Sequence, residues 1–166
     1  ISSVSAWAVQ TEAFFYMSVD GKMLGGSNLP DTLVRWIETP EPADSMLNIT
    51  DAEAEHMFGA DLAYMFIDLD GNESTGFMIG GAESAVTIVG KDGKILSSKA
   101  YAFVNSTWSF TGSVDAAIDG YRLEVGAAFE SLGMTVEGMY HVTFMAQDWR
   151  CAEDFASVSL PAGILS

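Results

Sequence analysis

The chain has 166 residues, 49% of them hydrophobic, and a formal net charge of −16 with only seven Lys and Arg. This length and apolar content predict a single domain with one substantial core. The negative charge repels nucleic acid and anionic membrane surfaces, which excludes them as partners. It is compatible with cations or neutral sugars, and an acidic surface that only keeps an apolar domain soluble explains it equally well. The single cysteine, Cys151, excludes an internal disulfide.

Strand signals begin early in the chain. The apolar run 13–19 leads into Asp20-Gly21 and then into residues 22–26. Asp-Gly between apolar runs is a strong signal of a tight hairpin, because the favoured two-residue turn needs positive φ at both central positions. The sequence therefore predicts a hairpin here. The same turn chemistry at Asp92-Gly93 predicts a second one.

An irregular insert is predicted at about 27–57. Pro30, Pro40 and Pro42 interrupt it, and residues 51–57 (DAEAEHM) have the composition of one short helix. After the insert, the segment DLAYMFIDL is apolar at both alternating positions, which predicts a central strand covered on both faces.

The rest of the chain continues the β pattern. One short helix is predicted at 127–133, ending at Gly133. The apolar or alternating segments follow one another at intervals of about ten to fifteen residues, with Gly or Asp-Gly between them. This spacing is typical of a β-sandwich. We therefore predict an all-β fold, an antiparallel β-sandwich with one or two short helices, in a single domain over 1–166. The predicted strands are 84–89, 94–104, 107–112, 121–127, 139–146 and 155–160.

The loop after the predicted central strand contains a candidate metal site. Asp68, Asp70, Asn72 and Ser74 alternate along it, and calcium prefers six to eight oxygen ligands, several of which such a loop supplies. The EF-hand pattern fails, because Glu73 stands where the turn glycine belongs and the closing Glu is missing. A complete site needs further ligands.

We consider Asp61 or Glu83 for that role. The competing interpretation is a polar turn in which Asp and Asn side chains accept hydrogen bonds from the backbone.

Three of the four asparagines stand in Asn-x-Ser/Thr sequons: Asn48, Asn72 and Asn105. Such sequons mark surface positions in exported proteins. They predict a glycoprotein at the cell exterior, with coincidence in a Ser/Thr-rich β protein as the alternative. A glycan on Asn72 and a metal ligand at Asn72 exclude each other.

Several phrases occur together in order: ADLAYMFIDLDGNESTGF, GAESAVTIVGKDGKIL, WSFTGSVDAAIDGYRLEVGAAFESLG and HVTFMAQDW. The set resembles the family 9 carbohydrate-binding modules and the wider DOMON-like group of β-sandwiches, over roughly residues 60–150. The resemblance implies a jelly-roll-like, extracellular sandwich, one module of a longer secreted or surface protein. It also implies sugar binding between aromatic side chains, often with bound calcium, or haem binding as in some relatives.

Aromatic side chains in loops are the candidates for sugar stacking. Trp36 lies in the irregular insert, and Trp149 follows a strand end with Arg150 beside it, so these three are the predicted ligand-binding residues. Trp108 alternates with Phe110 and is predicted to be in the core. Trp7 fits either position.

The sequence gives little support for haem binding or for catalysis. His56, His141 and nine Met supply the residue types that ligate haem, but no Cys-x-x-Cys-His motif is present. Neither His belongs to a motif with Ser or Cys, and no phosphate-binding Gly-rich loop is found. We therefore predict that the chain is not an enzyme.

The favoured function is a non-catalytic extracellular module for carbohydrate or ligand binding or adhesion, with calcium as the candidate ion. The alternative is a structural building block of a surface layer or filament, whose partners are neighbouring copies. A haem-bearing electron-transfer domain is a distant third. No run is long enough for the roughly 18 to 20 apolar residues that span a bilayer, so no direct membrane insertion is predicted. The start at Ile1, without Met, is expected of a processed or excised piece.

Overall fold

The computed structural model describes residues 1–27 and 58–162. They form ten strands: β1 (Ser3–Val9), β2 (Glu12–Ser18), β3 (Asp61–Asp68), β4 (Ser84–Lys91), β5 (Lys94–Val104), β6 (Thr107–Ser113), β7 (Asp115–Asp119), β8 (Arg122–Ala128), β9 (Met139–Gln147) and β10 (Glu153–Pro161). The strands make two antiparallel sheets, one of four in the order β1-β2-β8-β7 and one of six in the order β10-β9-β3-β4-β5-β6. The predicted antiparallel β-sandwich is confirmed.

The main core lies between the two sheets. Strand β3 illustrates how the sequence builds it, since every second residue points to the same face of a strand. Ala63, Met65 and Ile67 face the core. In that core they pack with buried residues of both sheets, such as Phe15 and Phe144, whose ring centroids lie 6.3 Å apart.

The opposite face of β3 is buried as well. Tyr64 and Phe66 belong to a second cluster, which also includes Trp108 of β6. Phe77, from the loop after β3, packs there with ring centroids 5.5 Å from Phe66 and 5.2 Å from Trp108. Two-sided burial of β3 and burial of Trp108 were both predicted and are confirmed. We call this set, with Phe103 and Tyr101, the aromatic cluster.

The predicted hairpin at Asp92-Gly93 is confirmed. Asp92 and Gly93 have φ values of 56° and 71° and join β4 to β5, as the two-residue turn requires. Asn105 and Ser106, with φ values of 52° and 61°, make the same kind of turn between β5 and β6.

The predicted hairpin at Asp20-Gly21 is wrong. Residues 22–26 form no strand, because both edges of β2 are already paired, with β1 and β8. Instead Met23 and Leu24 are buried in the main core. The true partner strand, β1, precedes β2 and was not predicted; its Ser and Ala residues give a weak apolar alternation.

The short helix near Gly133 is confirmed as α1 (Phe129–Leu132). Gly133, at φ 68°, ends it, and its N–H donates to the carbonyl of Phe129. The predicted helix at 51–57 and most of the predicted insert lie outside the described residues. Among the described residues, the structure has no helix long and apolar enough to cross a membrane.

Candidate metal site

The candidate site begins where β3 ends. Asp68 is the last residue of the strand and only 1% exposed. Its Oδ1 accepts hydrogen bonds from the backbone N–H groups of Asp70 (3.2 Å) and Gly71 (2.8 Å). Gly71 has a φ of 72°, a conformation that glycine adopts without steric cost. The chain therefore turns sharply around a buried carboxylate.

The alternating side chains continue this pattern along the loop. Oδ1 of Asp70 accepts from the N–H of Asn72 at 2.8 Å, and Oδ1 of Asn72 accepts from the N–H of Ser74 at 3.1 Å. Each side chain thus closes a turn onto the backbone two residues ahead. The backbone hydrogen bonds expected of the polar-turn interpretation are present, and each uses one oxygen per side chain.

Glu83 completes the cluster. An isolated bridge between Phe77 and Ala82 returns the loop toward β3, and Oε2 of Glu83 accepts from the N–H of Leu69 at 2.8 Å. One carboxylate oxygen from each of Asp68, Asp70 and Glu83 lies within 4.8 Å of the other two. These three residues form a cluster that can hold a metal ion, which we call the carboxylate cluster.

Among the described residues, no positively charged side chain compensates the negative charge of the carboxylate cluster. Oδ2 of Asp68 is buried and has no hydrogen-bond partner among the described residues, and no ion pair to the three carboxylates is found there. The hydrogen bond from the Thr75 hydroxyl (2.8 Å), followed by that from the Asn72 N–H, lowers the pKa of Asp70 below 3.8. A buried polar oxygen without a partner is costly, and a bound cation would satisfy it.

Two glycines let the loop fold tightly against Glu83. A Cβ on Gly76, whose φ is 74°, would lie 2.7 Å from Oε1 of Glu83 and 2.5 Å from the carbonyl oxygen of Gly81. A Cβ on Gly81 would lie 2.5 Å from Cα of Glu73. Real Cβ atoms essentially never come this close to other atoms, so only glycine at both positions allows the loop to pack in this way.

Of the two additional ligands considered from the sequence, the structure places Glu83 in the cluster and Asp61 outside it. Asp61 begins β3 and Asp68 ends it, so about 23 Å of strand separates them. The Asp61 carboxylate instead accepts from the N–H groups of Gly26 (2.9 Å) and Trp149 (3.0 Å). Burial raises its pKa above 3.8, against the effect of these two hydrogen bonds.

The predicted sugar-stacking residues are only partly described. Trp149 is half-buried, and the guanidinium of Arg150 lies 4.6 Å from its ring centroid. That contact occupies one face of the indole, which leaves at most the other face for a ligand. Trp36 lies outside the described residues, so the pairing of Trp36 with Trp149 stays a prediction. Trp7 is 41% exposed on the four-stranded sheet.

The sequons and the haem candidates are placed as follows. Asn72 is exposed in the loop and Asn105 is exposed in the turn between β5 and β6, while Asn48 lies outside the described residues. His141 is exposed, with Nδ1 3.4 Å from Oγ of Ser159, and His56 is not described. Use of the sequons and binding of haem stay predictions.

Sequence reasoning missed Thr75, whose hydroxyl holds Asp70, and treated Glu83 as one of two equal options. The signal for Glu83 was its place directly before β4, the strand antiparallel to β3: a hairpin brings that residue next to the end of β3. Comparisons with protein-family models, curated proteins and solved structures give no match.

Proposed function

We propose that this chain is a non-catalytic β-sandwich module that acts outside the cell and binds calcium at the carboxylate cluster. The observation that carries the proposal is the buried Oδ2 of Asp68, which has no hydrogen-bond partner among the described residues, in a residue that clusters with two further carboxylates. A divalent cation there would replace carboxylate repulsion with attraction and would satisfy the buried oxygen.

The donor set favours calcium among the common metals. All three donors are carboxylate oxygens, whereas zinc prefers His and Cys. Calcium accepts irregular geometry and completes its six to eight ligands with carbonyl oxygens and water. Three protein carboxylates in an open loop match the weaker class of sites, with dissociation constants of about 10⁻⁴ to 10⁻³ M, found in extracellular modules.

The consequence of binding would be structural. The loop from Asp68 to Glu83 also carries Phe77, which packs on Phe66 and Trp108 in the aromatic cluster. Fixing both ends of the loop through one ion would therefore hold Phe77 over this cluster. The role we propose for calcium is to stabilise a module whose binding or adhesive surface lies elsewhere.

The test is thermal unfolding of chelator-treated protein during a calcium titration. At 100 times the dissociation constant, calcium should raise the free energy of unfolding by about 2.7 kcal/mol, a rise in Tm of about 5 to 10 °C. Asp68→Asn should abolish the rise, because Asn keeps one oxygen for the loop N–H groups and loses the second.

The matched control is Glu137→Gln. It removes one negative charge from an exposed residue outside the cluster, so it should keep the full rise in Tm. An equal loss in both variants would mean that calcium only screens the overall charge, and no rise in the unaltered protein would reject the calcium site.

A further inference from the structure

A groove crosses the outer face of the four-stranded sheet, the face turned away from the main core. Its volume is about 430 Å³, within the range of about 300 to 1,000 Å³ typical of small-molecule sites. We call it the Trp7 groove. The side chains that characterise it are Trp7, Glu12, Phe14, Asp115 and Glu124, with Gly126 between them.

Two aromatic rings form one wall of the groove. Trp7 and Phe14 are cross-strand partners on β1 and β2, and their rings stack with centroids 5.7 Å apart and an interplanar angle of 17°. Trp7 is exposed although it is a large apolar residue. The groove therefore presents indole and phenyl surface to solvent.

Gly126 forms the floor of the groove beneath the ring of Phe14. Gly126 of β8 is the cross-strand partner of Phe14, and a Cβ at this position would lie 3.2 Å from a ring carbon of Phe14. Glycine in the middle of a strand weakens it, and it often marks a site where another group approaches the backbone closely. Here the glycine lets the ring lie against the strand.

The charges in the groove have one sign. Glu12, Asp115 and Glu124 line it, and none of their three side-chain carboxylates makes an ion pair or hydrogen bond within the described part of the chain. The only cation in β1, β2, β7 and β8 is Arg122. Arg122 contacts Asp119 at 3.5 Å and lies over Tyr121, so it does not neutralise the groove.

We propose that the Trp7 groove binds a small organic cation with an alkylated or quaternary ammonium group. Aromatic rings attract such cations through the ring quadrupole, most strongly for Trp. An anion would be repelled by three carboxylates. A neutral sugar could stack on the rings and donate hydroxyl hydrogen bonds to the carboxylates, but it would leave their negative charge uncompensated, whereas a cation compensates that charge as well as contacting the rings.

The experiment is isothermal titration with choline and tetramethylammonium, in chelator and again in calcium. The neutral analogue of choline, 3,3-dimethylbutan-1-ol, and glucose serve as comparison ligands. We expect saturable binding of both cations that weakens as salt increases, and no binding of the neutral compounds. Because the groove shares no residue with the carboxylate cluster, binding should persist in chelator.

Variants identify the groups responsible. Trp7→Ala should weaken choline binding by about 2- to 30-fold, the range of a cation–π contact. Glu124→Gln should weaken it and reduce its salt dependence. Phe110→Ala, which removes an exposed aromatic ring from the other sheet, should leave binding unchanged.

Three results would overturn the proposal: no saturable binding of either cation, equal binding of the neutral analogue or glucose, or equal weakening by Phe110→Ala and Trp7→Ala. The calcium titration of the preceding section is independent of all three, so failure of this proposal leaves the calcium site intact.

Discussion

Glu83 accepts a hydrogen bond at 2.8 Å from the backbone N–H of Leu69, fourteen positions earlier in the chain. This contact joins the two ends of the loop that leaves β3 and enters β4. It places the carboxylate of Glu83 beside those of Asp68 and Asp70. The loop is thus closed by two kinds of connection: hydrogen bonds, namely this one and the bond from the N–H of Glu83 to the carbonyl of Ile67 (3.1 Å), and, if the proposed ion binds, the metal.

Glu83→Gln distinguishes the hydrogen bond from the metal ligand. The amide oxygen of Gln can still accept from Leu69, so the loop should stay closed, but a neutral amide is a weaker calcium ligand than a carboxylate. We expect the calcium-dependent rise in Tm to fall to less than half, with little change in the Tm measured in chelator. An undiminished rise in Tm would show that Glu83 is not a ligand.

Gly76→Ala tests whether the loop backbone positions Glu83. The new Cβ would collide with the carbonyl oxygens of Gly81 and Ala82 and with Oε1 of Glu83, and Ala is strained at a φ of 74°. We expect a loss of about 2 to 4 kcal/mol in the free energy of unfolding, measured by urea denaturation, and weaker calcium binding.

Gly71→Ala is the matched control. Gly71 has nearly the same φ, 72°, but nothing lies within 4 Å of the added Cβ. It should therefore lose only the conformational cost, about 1 to 2 kcal/mol. Equal losses in the two variants would mean that the close packing around Gly76 contributes nothing.

Ser106→Gly should stabilise the protein. Ser106 has a φ of 61° in the two-residue turn between β5 and β6, where a side chain costs about 1 to 2 kcal/mol. Part of the gain is offset by the greater freedom of Gly in the unfolded chain. We expect a net gain of about 0.5 to 1 kcal/mol by urea denaturation, and the Asn105 sequon is retained because its middle position accepts Gly.

Asn105→Gly provides the comparison, because Asn tolerates positive φ better than Ser does. It should gain less than Ser106→Gly. If neither variant gains stability, the turn is relaxed as it stands.

The sequence predicted what depends on local pattern. Apolar residues at both alternating positions identified β3 as a central strand, and Asp92-Gly93 identified the turn between β4 and β5. Both are local signals, because the pleat period and positive φ are properties of a few neighbouring residues. Asp20-Gly21 has the same local chemistry and makes no hairpin, because β1 and β8 already occupy both edges of β2. Which strands pair with each edge of β2 depends on the whole sheet, so no short segment of the sequence predicts it.

The candidate site divides in the same way. The spacing of Asp68, Asp70 and Asn72 predicted their turns, since each side chain reaches a backbone N–H two residues ahead. The choice of Glu83 over Asp61 required the pairing of β3 with β4. The Trp7 groove was not predicted at all, because it combines residues of β1, β2, β7 and β8 that lie more than a hundred positions apart.

Asp61→Asn should change how stability depends on pH. Burial raises the pKa of Asp61 in the folded protein above 3.8, so the folded state binds this proton more tightly than the unfolded state does. The resulting stabilisation is fully present at pH values below 3.8 and is lost as the pH rises through the folded-state pKa. The Asn variant has no such proton. As the pH rises from 3.8 through the folded-state pKa of Asp61, the unaltered protein should therefore lose stability relative to the variant.

The substitution also removes a hydrogen bond. The two oxygens of ionised Asp61 accept one N–H each, from Gly26 and from Trp149, and Asn can accept only one of them. This loss costs about 1 to 3 kcal/mol at pH values where Asp61 is ionised. Urea denaturation between pH 3 and 7 in chelator gives both quantities. A difference between the two proteins that stays constant or grows with pH would mean that the hydrogen bonds, and not burial, dominate the pKa of Asp61.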